Sequence, residues 1–248
     1  MDNKSEALLK LLLEAVQAAS GSTSQSTQGC AGSICVNTAA CPGADCSSAK
    51  TCASPSECGK LAIAVGVSNR HIHLSQADLD TLFGTGYQLT KIKDLSQPGQ
   101  FACKETLTIC GPKGAIEKIR VLGPVRSKTQ VEVLTGDCFK LGAKPVARLS
   151  GDLAGTPGIT VIGPKGAVQL TEGLIVAQRH IHMTLADAQH FGVRDGQIVG
   201  IKVCGPRGGV YDNVVVRAND SSFLECHLDT EEANAMGLGS SGKITIIK

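Results

Sequence analysis

Polar residues recur at helical spacing over residues 3–19, where Glu6, Lys10, Glu14 and Gln17 form a narrow stripe. Leu8, Leu9, Leu11, Leu12, Leu13, Ala15 and Val16 cover the rest of the surface. Asn3 is placed to cap the first turn, with Glu6 three residues on as its capping-box partner, so the pattern predicts one amphipathic helix. An apolar face this broad on so short a helix needs a covering surface, either its own globular body or another protein. From Gly21 to Gly59 the periodicity stops. Ser, Thr, Gly, Ala and Cys dominate, and only three residues are charged. Such a stretch buries too little apolar area to offset its ordering entropy, and it is expected to be a flexible tether. The predicted divisions are therefore a helix within 1–20, a linker over 21–59, and a folded body from Lys60 to Lys248.

The body repeats itself. Arg70-His-Ile-His-Leu-Ser-Gln-Ala-Asp78 returns as Arg179-His-Ile-His-Met-Thr-Leu-Ala-Asp187, identical at six of nine positions and displaced by 109 residues. An apolar strand candidate precedes each copy: Leu61–Val67 in one case, Leu174–Ala177 in the other. Ser75 and Thr184 are placed to cap short helices that follow. Further on, Gly111-Pro-Lys-Gly114, Gly163-Pro-Lys-Gly166 and Gly205-Pro-Arg-Gly208 interrupt apolar runs. Pro second and Gly fourth suit a type I turn, so each predicts a hairpin. Short strands, tight turns and a duplication point to a mainly β fold of two related antiparallel barrels with short capping helices.

Composition narrows the function. Twenty-nine glycines suit many turns, and the 42% apolar content is mostly aliphatic, enough for a sizeable core. A net charge of +2 provides no basic field for nucleic acid or an anionic membrane. Trp is absent and Phe plus Tyr number seven, so platforms for stacking bases are scarce. Lys10, Glu14 and Gln17 break the first apolar segment, which fits neither an export signal nor a membrane span. Of eleven cysteines, Cys30, Cys35, Cys41, Cys46, Cys52 and Cys58 crowd into 29 residues, at spacings that match no zinc or iron–sulfur pattern. A reducing cytosolic setting without structural disulfides is expected.

The chemistry is carried by histidine. Five of the six fall into three clusters: His71/His73, His180/His182 and His227; His190 lies outside them. On a strand, residues i and i+2 face the same way about 6.5 Å apart, so an H-x-H pair can present two imidazoles to one ion. Neutral imidazole suits zinc, and two such pairs in repeat-related positions favour metal binding over two satisfied core pairs. His227, in Glu225-Cys-His-Leu-Asp, can add a third imidazole to one pair. For the other pair the acidic candidates are Glu105 and Glu132, with Glu105 preferred because it stands just ahead of a strand. Three protein ligands would leave a fourth position open, as a catalytic zinc requires. Arg126, after Gly123-Pro-Val, can grip a tetrahedral oxyanion bidentately, or it can be an ordinary surface arginine.

Several stretches resemble a known family. Gly66-Val-Ser-Asn-Arg-His-Ile-His-Leu-Ser75, Gln97-Pro-Gly-Gln-Phe101, Leu122-Gly-Pro-Val-Arg-Ser127, Gly155-Thr-Pro-Gly158, Val176-Ala-Gln-Arg-His-Ile-His-Met183 and Asp229-Thr-Glu-Glu-Ala-Asn234 resemble the PduL-type phosphotransacylases. These are the phosphate propanoyltransferases of bacterial microcompartments, and the likeness spans the whole body. It implies a swapped duplication: residues 60–70 with 178–248 as one barrel and 71–177 as the other. It also implies two zinc ions per chain, held by His71, His73, His180, His182 and His227 with an acidic residue taken as Glu105, and phosphate contact by Arg126. Ser68 and Arg70, just ahead of the first histidine, are assigned to coenzyme A.

The expected reaction is acyl-CoA plus phosphate giving acyl phosphate and CoA, with propanoyl or acetyl as the acyl group. Cys103 and Cys226 are the rivals for a covalent route. A zinc-dependent thioester hydrolase and a non-enzymatic metal-binding protein are the alternatives. The resemblance further implies a homodimer. It makes the N-terminal helix an encapsulation peptide that binds shell or core proteins in a microcompartment lumen, with no nucleic acid or membrane partner.

Overall fold

The computed structural model describes residues 61–239 and 241–248. The helix expected over 3–19 and the tether over 21–59 lie outside the described residues. In chain order the first half comprises β1 (Ile63–Ser68), β2 (His71–His73), α1 (Gln76–Phe83), β3 (Lys91–Asp94), β4 (Phe101–Gly111) and β5 (Gly114–Gly123). Next come β6 (Gln130–Val133), α2 (Thr135–Leu141), β7 (Ala147–Arg148), β8 (Thr160–Ile162), β9 (Ala167–Gln169) and β10 (Leu174–Ala177). The second half runs β11 (His180–Met183), α3 (Leu185–Phe191), β12 (Ile198–Val203), β13 (Gly209–Ala218), β14 (Glu225–Asp229), α4 (Thr230–Met236) and β15 (Lys243–Ile247). The fold is mainly β, as the short runs and turns predict.

Two sheets carry it. One is a closed barrel in the order β1-β14-β11-β13-β12-β15; the other is a nine-stranded sheet, a half-barrel, running β7-β10-β6-β2-β5-β4-β8-β9 with β3 on β4. The duplication is visible in the pairing. β2 lies parallel to β5 and antiparallel to β6, while β11 lies parallel to β13 and antiparallel to β14. The strand before each H-x-H joins the other repeat: β1 runs parallel to β14, and β10 runs parallel to β6. Both sheets are thus mixed. The parallel pairs arise because a short helix after each H-x-H carries the chain across its sheet before the hairpin returns.

All three Gly-Pro turns sit where the sequence puts them, between β4 and β5, β8 and β9, and β12 and β13. The helices are fixed by their ends. Ser75, Thr184 and Asp229 accept hydrogen bonds from the third-position amides of α1, α3 and α4, and each stops at a glycine. At Gly192, φ is +61°, a left-handed conformation that costs glycine nothing and a Cβ-bearing residue about 1 kcal/mol.

Alternation along the strands then fills two cores. Ile72, Leu107, Ile119, Val121, Val131 and Leu174 are among those that close one sheet, and Ile63, Ile181, Met183, Ile201, Val216 and Leu228 fill the barrel. Each such side chain contributes roughly 1.5–3 kcal/mol by leaving water. This burial holds the ends of β2, β6, β11 and β14 in place, and those ends carry the site.

Candidate active site

Four polar side chains stand at equivalent points of four strand-to-helix junctions. His73, Glu132, His182 and His227 each lie two residues before a helix N-cap, namely Ser75, Leu134, Thr184 and Asp229. His71 and His180 begin the strands that carry the first and third of these. Cross-strand register completes two trios. His71 pairs with Glu132 across β2 and β6, and His180 pairs with His227 across β11 and β14. Within each trio, His71/His73/Glu132 and His180/His182/His227, a donor atom from every member lies within 4.8 Å of the others.

Glu132, and not the preferred Glu105, completes the first trio. Glu105 accepts hydrogen bonds from Tyr87 Oη at 2.9 Å and from the Thr90 amide at 3.1 Å, and takes no part in either trio. Its burial works against ionisation, but these donors hold its carboxyl below the usual range, so it is a satisfied structural anion. Glu132 takes the position expected of it. Spacing along the chain could not separate the two. The usable signal was the repeat itself: Gln130-Val-Glu132 and Glu225-Cys-His227 occupy the same place before a helix.

The imidazoles are oriented from behind. His71 Nδ1 lies 2.7 Å from the Asn69 carbonyl and His180 Nδ1 lies 2.8 Å from the Gln178 carbonyl, again the same contact in both repeats. A carbonyl can only accept, so each Nδ1 carries a proton and each Nε2 is turned toward the other members of its trio. His180 Nε2 is 3.1 Å from His182 Nε2. Two ligands of one zinc at about 2.1 Å stand about 3.0–3.4 Å apart, so this spacing fits a shared cation. His73 Nδ1 and His182 Nδ1 are buried with no hydrogen-bond partner among the described residues.

Burial, reinforced by neighbouring imidazoles, lowers His73 and His182 to about 3. Burial, only partly opposed by the Gln178 carbonyl, lowers His180 to about 4. Neutral nitrogen donors at physiological pH result, as a metal requires. His71 differs. Burial opposes its protonation, but the Glu132 carboxylate, 3.3 Å from Nε2, more than reverses this and raises it. Glu132 is in turn held far below the ordinary carboxylate range, His71 overcoming the upward push of burial. Both donor sets suit a borderline-soft divalent cation such as zinc.

Both trios open on one cleft of about 460 Å³. Gly66, Leu95, Leu122, Ala177 and Leu228 supply apolar wall, while Arg126, Ser150 and Arg217 supply polar wall. Ser68 and Arg70 also line it. Arg70 is engaged there, its Nε 2.8 Å from Asp137 Oδ2. Arg126 is part-buried, and its Nη1 donates to Ser150 Oγ at 2.8 Å. Sequence reasoning missed Ser150, whose segment carries no periodic or motif signal. His190 is exposed on α3, away from both trios. Cys103 and Cys226 are buried thiols outside the cleft lining, and desolvation raises them to about 11 and about 12.

A family model described as phosphate propanoyltransferase matches residues 64–239. A phosphate propanoyltransferase of Thermotoga maritima is 54% identical over 187 residues, covering 75% of this chain and 89% of that protein. Its namesake from Rhodobacter capsulatus is 53% identical over 186 residues, covering 75% of this chain and 86% of the relative. That from Clostridioides difficile is 52% identical over 186 residues, covering 75% and 89%. With both repeats and the whole cleft inside the matched span, the chain belongs to the phosphate propanoyltransferase family of acyltransferases.

Proposed function

We propose that this chain transfers a propanoyl group from coenzyme A to inorganic phosphate. The observation that carries the reading is the opening of two ligand trios and the Arg126 guanidinium onto one cleft. His71, His73 and Glu132 would hold one zinc ion and His180, His182 and His227 a second. Zinc supplies Lewis acidity toward a thioester carbonyl and a soft partner for thiolate sulfur.

The chain's own groups do the rest. Arg126 binds phosphate by charge and by its planar fork, and lessens repulsion as the anion nears the substrate. Ser150 holds Arg126 in that orientation. Leu95, Leu122 and Leu228 exclude water from the thioester, which protects the acyl phosphate from hydrolysis. A phosphate oxygen bonds to the carbonyl carbon, the C–S bond breaks, and its electron pair leaves on sulfur as the thiolate of CoA. Acyl phosphate is the other product. The proposed coenzyme A contacts are Ser68 and Arg70 at the cleft edge. Pairing of two chains belongs to the same reading.

Release of free thiol from propanoyl-CoA, followed with and without phosphate, tests the reading. Phosphate-dependent release with acyl phosphate as product is expected. Release without phosphate would instead make the protein a thioester hydrolase, and no release at all would leave a binding protein.

No protein nucleophile is needed. Thiols at about 11 and about 12 are protonated at neutral pH and are poor nucleophiles. Cys103→Ala and Cys226→Ala should each keep turnover within about threefold of wild type, the loss being one of packing. Disappearance of a pre-steady-state acyl burst in either variant would restore the covalent route.

The helix read over residues 3–19 extends the proposal to location, as a docking peptide that directs the enzyme into a bacterial microcompartment. Deleting residues 1–20 should leave kcat and KM in solution unchanged and abolish co-purification with shells. Equal encapsulation of the truncated protein would remove this role.

A further inference from the structure

The polar groups behind Arg126 and Glu132 form one chain, and its hydrogen-bond directions are fixed. Gln130 is 1% exposed, at the register position opposite His73. The Gly151 amide, which can only donate, lies 2.8 Å from Gln130 Oε1. That contact sets the amide's orientation, so Nε2 has two protons to give. One goes to Glu132 Oε1 at 2.5 Å and the other to Ser150 Oγ at 2.8 Å. Arg126 Nη1 donates to the same Ser150 oxygen, also at 2.8 Å. A hydroxyl oxygen has two lone pairs, and here two obligate donors occupy both. Its own proton can then only be given away. Ser150 lines the cleft beside Arg126, and no acceptor for that proton is recorded among the described residues.

From this we infer that Ser150 is a phosphate-binding residue whose hydroxyl donates to a phosphate oxygen alongside Arg126, with Gln130 as the positioning residue that enforces the direction. The inference rests on the proposed phosphate chemistry of the cleft. A hydroxyl free to rotate would split its population between donating and accepting. Here the side chain is locked as a donor before the anion arrives, which lowers the ordering cost of binding. The same Gln130 amide grips Glu132, so the phosphate-facing and metal-facing groups share one rigid support. The second repeat has the analogous arrangement in inverted polarity. Glu225, equivalent to Gln130 and opposite His182, places Oε2 2.7 Å from His227 Nε2. An amide donor backs the carboxylate ligand and a carboxylate acceptor backs the imidazole ligand, as hydrogen-bond complementarity demands.

Titrating zinc-loaded protein with inorganic phosphate by calorimetry, together with the KM for phosphate and for propanoyl-CoA, tests the inference. Ser150→Ala is expected to weaken phosphate binding about tenfold or more, the range for a hydrogen bond to a charged group, and to leave the KM for propanoyl-CoA within twofold. Ser150→Thr, which keeps the hydroxyl, should recover most of the loss and serves as the second variant if alanine perturbs folding. Gln130→Met should weaken phosphate binding in the wild-type background and weaken it by a smaller factor in Ser150→Ala, the remainder in that background being the loosened Glu132, read separately as metal content. Unchanged phosphate affinity in Ser150→Ala, or equal losses for phosphate and propanoyl-CoA, would overturn the inference while leaving the proposed reaction standing. Failure of the wild-type protein itself to bind or consume phosphate would overturn both.

Discussion

Replacing His180 by alanine should remove one metal ion per chain and lower kcat/KM by at least about a hundredfold, while the fold survives. The magnitude follows from the lesser case: losing only a partner behind a metal ligand costs about 10–100-fold in affinity or activity. His180 is itself in the trio, 92% removed from solvent, with Nδ1 on the Gln178 carbonyl and Nε2 3.1 Å from His182 Nε2. Alanine leaves two imidazoles, His182 and His227, which cannot enclose the ion. The pairing of β11 with β13 and β14 is made by the main chain and by buried Ile181 and Met183, and the substitution touches neither. Elemental analysis should find about half the wild-type metal, because His71, His73 and Glu132 form a separate trio. His190→Ala, at an exposed position on α3, is the matched control and should change neither metal content nor rate. A His180→Ala protein with full metal and full turnover would show that the three-imidazole trio is not a metal site.

Much of this arrangement was legible in the chain. The H-x-H repeat announced the duplication. The Gly-Pro turns located three hairpins, and Ser75 and Thr184 marked the starts of helices that the structure places there. Local chemistry fixes such features, so local sequence displays them. The third member of the first trio was not legible in the same way. Glu105 and Glu132 are each a lone acid within a strand, and only the His71–Glu132 register across two strands brings one of them to the histidines. Register depends on partners 61 residues apart and leaves no trace in spacing. The parallel pairs were hidden for the same reason, since crossover by a helix decides strand direction. Ser150 and Gln130 are further removed still. Their roles come from the count of donors around one oxygen, which exists only once the 126–130 stretch and the 150–151 loop have met.

Arg126→Ala should cost about 10²–10³ in kcat/KM measured at limiting phosphate, the range seen when one preorganised donor to a developing oxyanion is removed. The guanidinium combines three properties that alanine lacks and lysine only partly supplies. It is part-buried, where a charge–phosphate contact is worth more than in water. Its direction is set by Ser150. It also carries its charge at any working pH: burial pulls its pKa down, but the nearby Glu132 carboxylate opposes that, and an arginine starts so high that it stays protonated. Arg126→Lys keeps the charge but loses the planar fork and the fixed contact to Ser150 Oγ, so it should recover only part of the rate. The two substitutions therefore separate charge from geometry. The loss should fall on phosphate, with the KM for propanoyl-CoA little changed, because the apolar wall proposed to meet the thioester is built from the cleft residues Leu95, Leu122 and Leu228. Steady-state kinetics in both substrates read the difference directly. Unaltered phosphate kinetics in Arg126→Ala would strip this residue of its role and, with it, the account of how the anion is held beside the two trios.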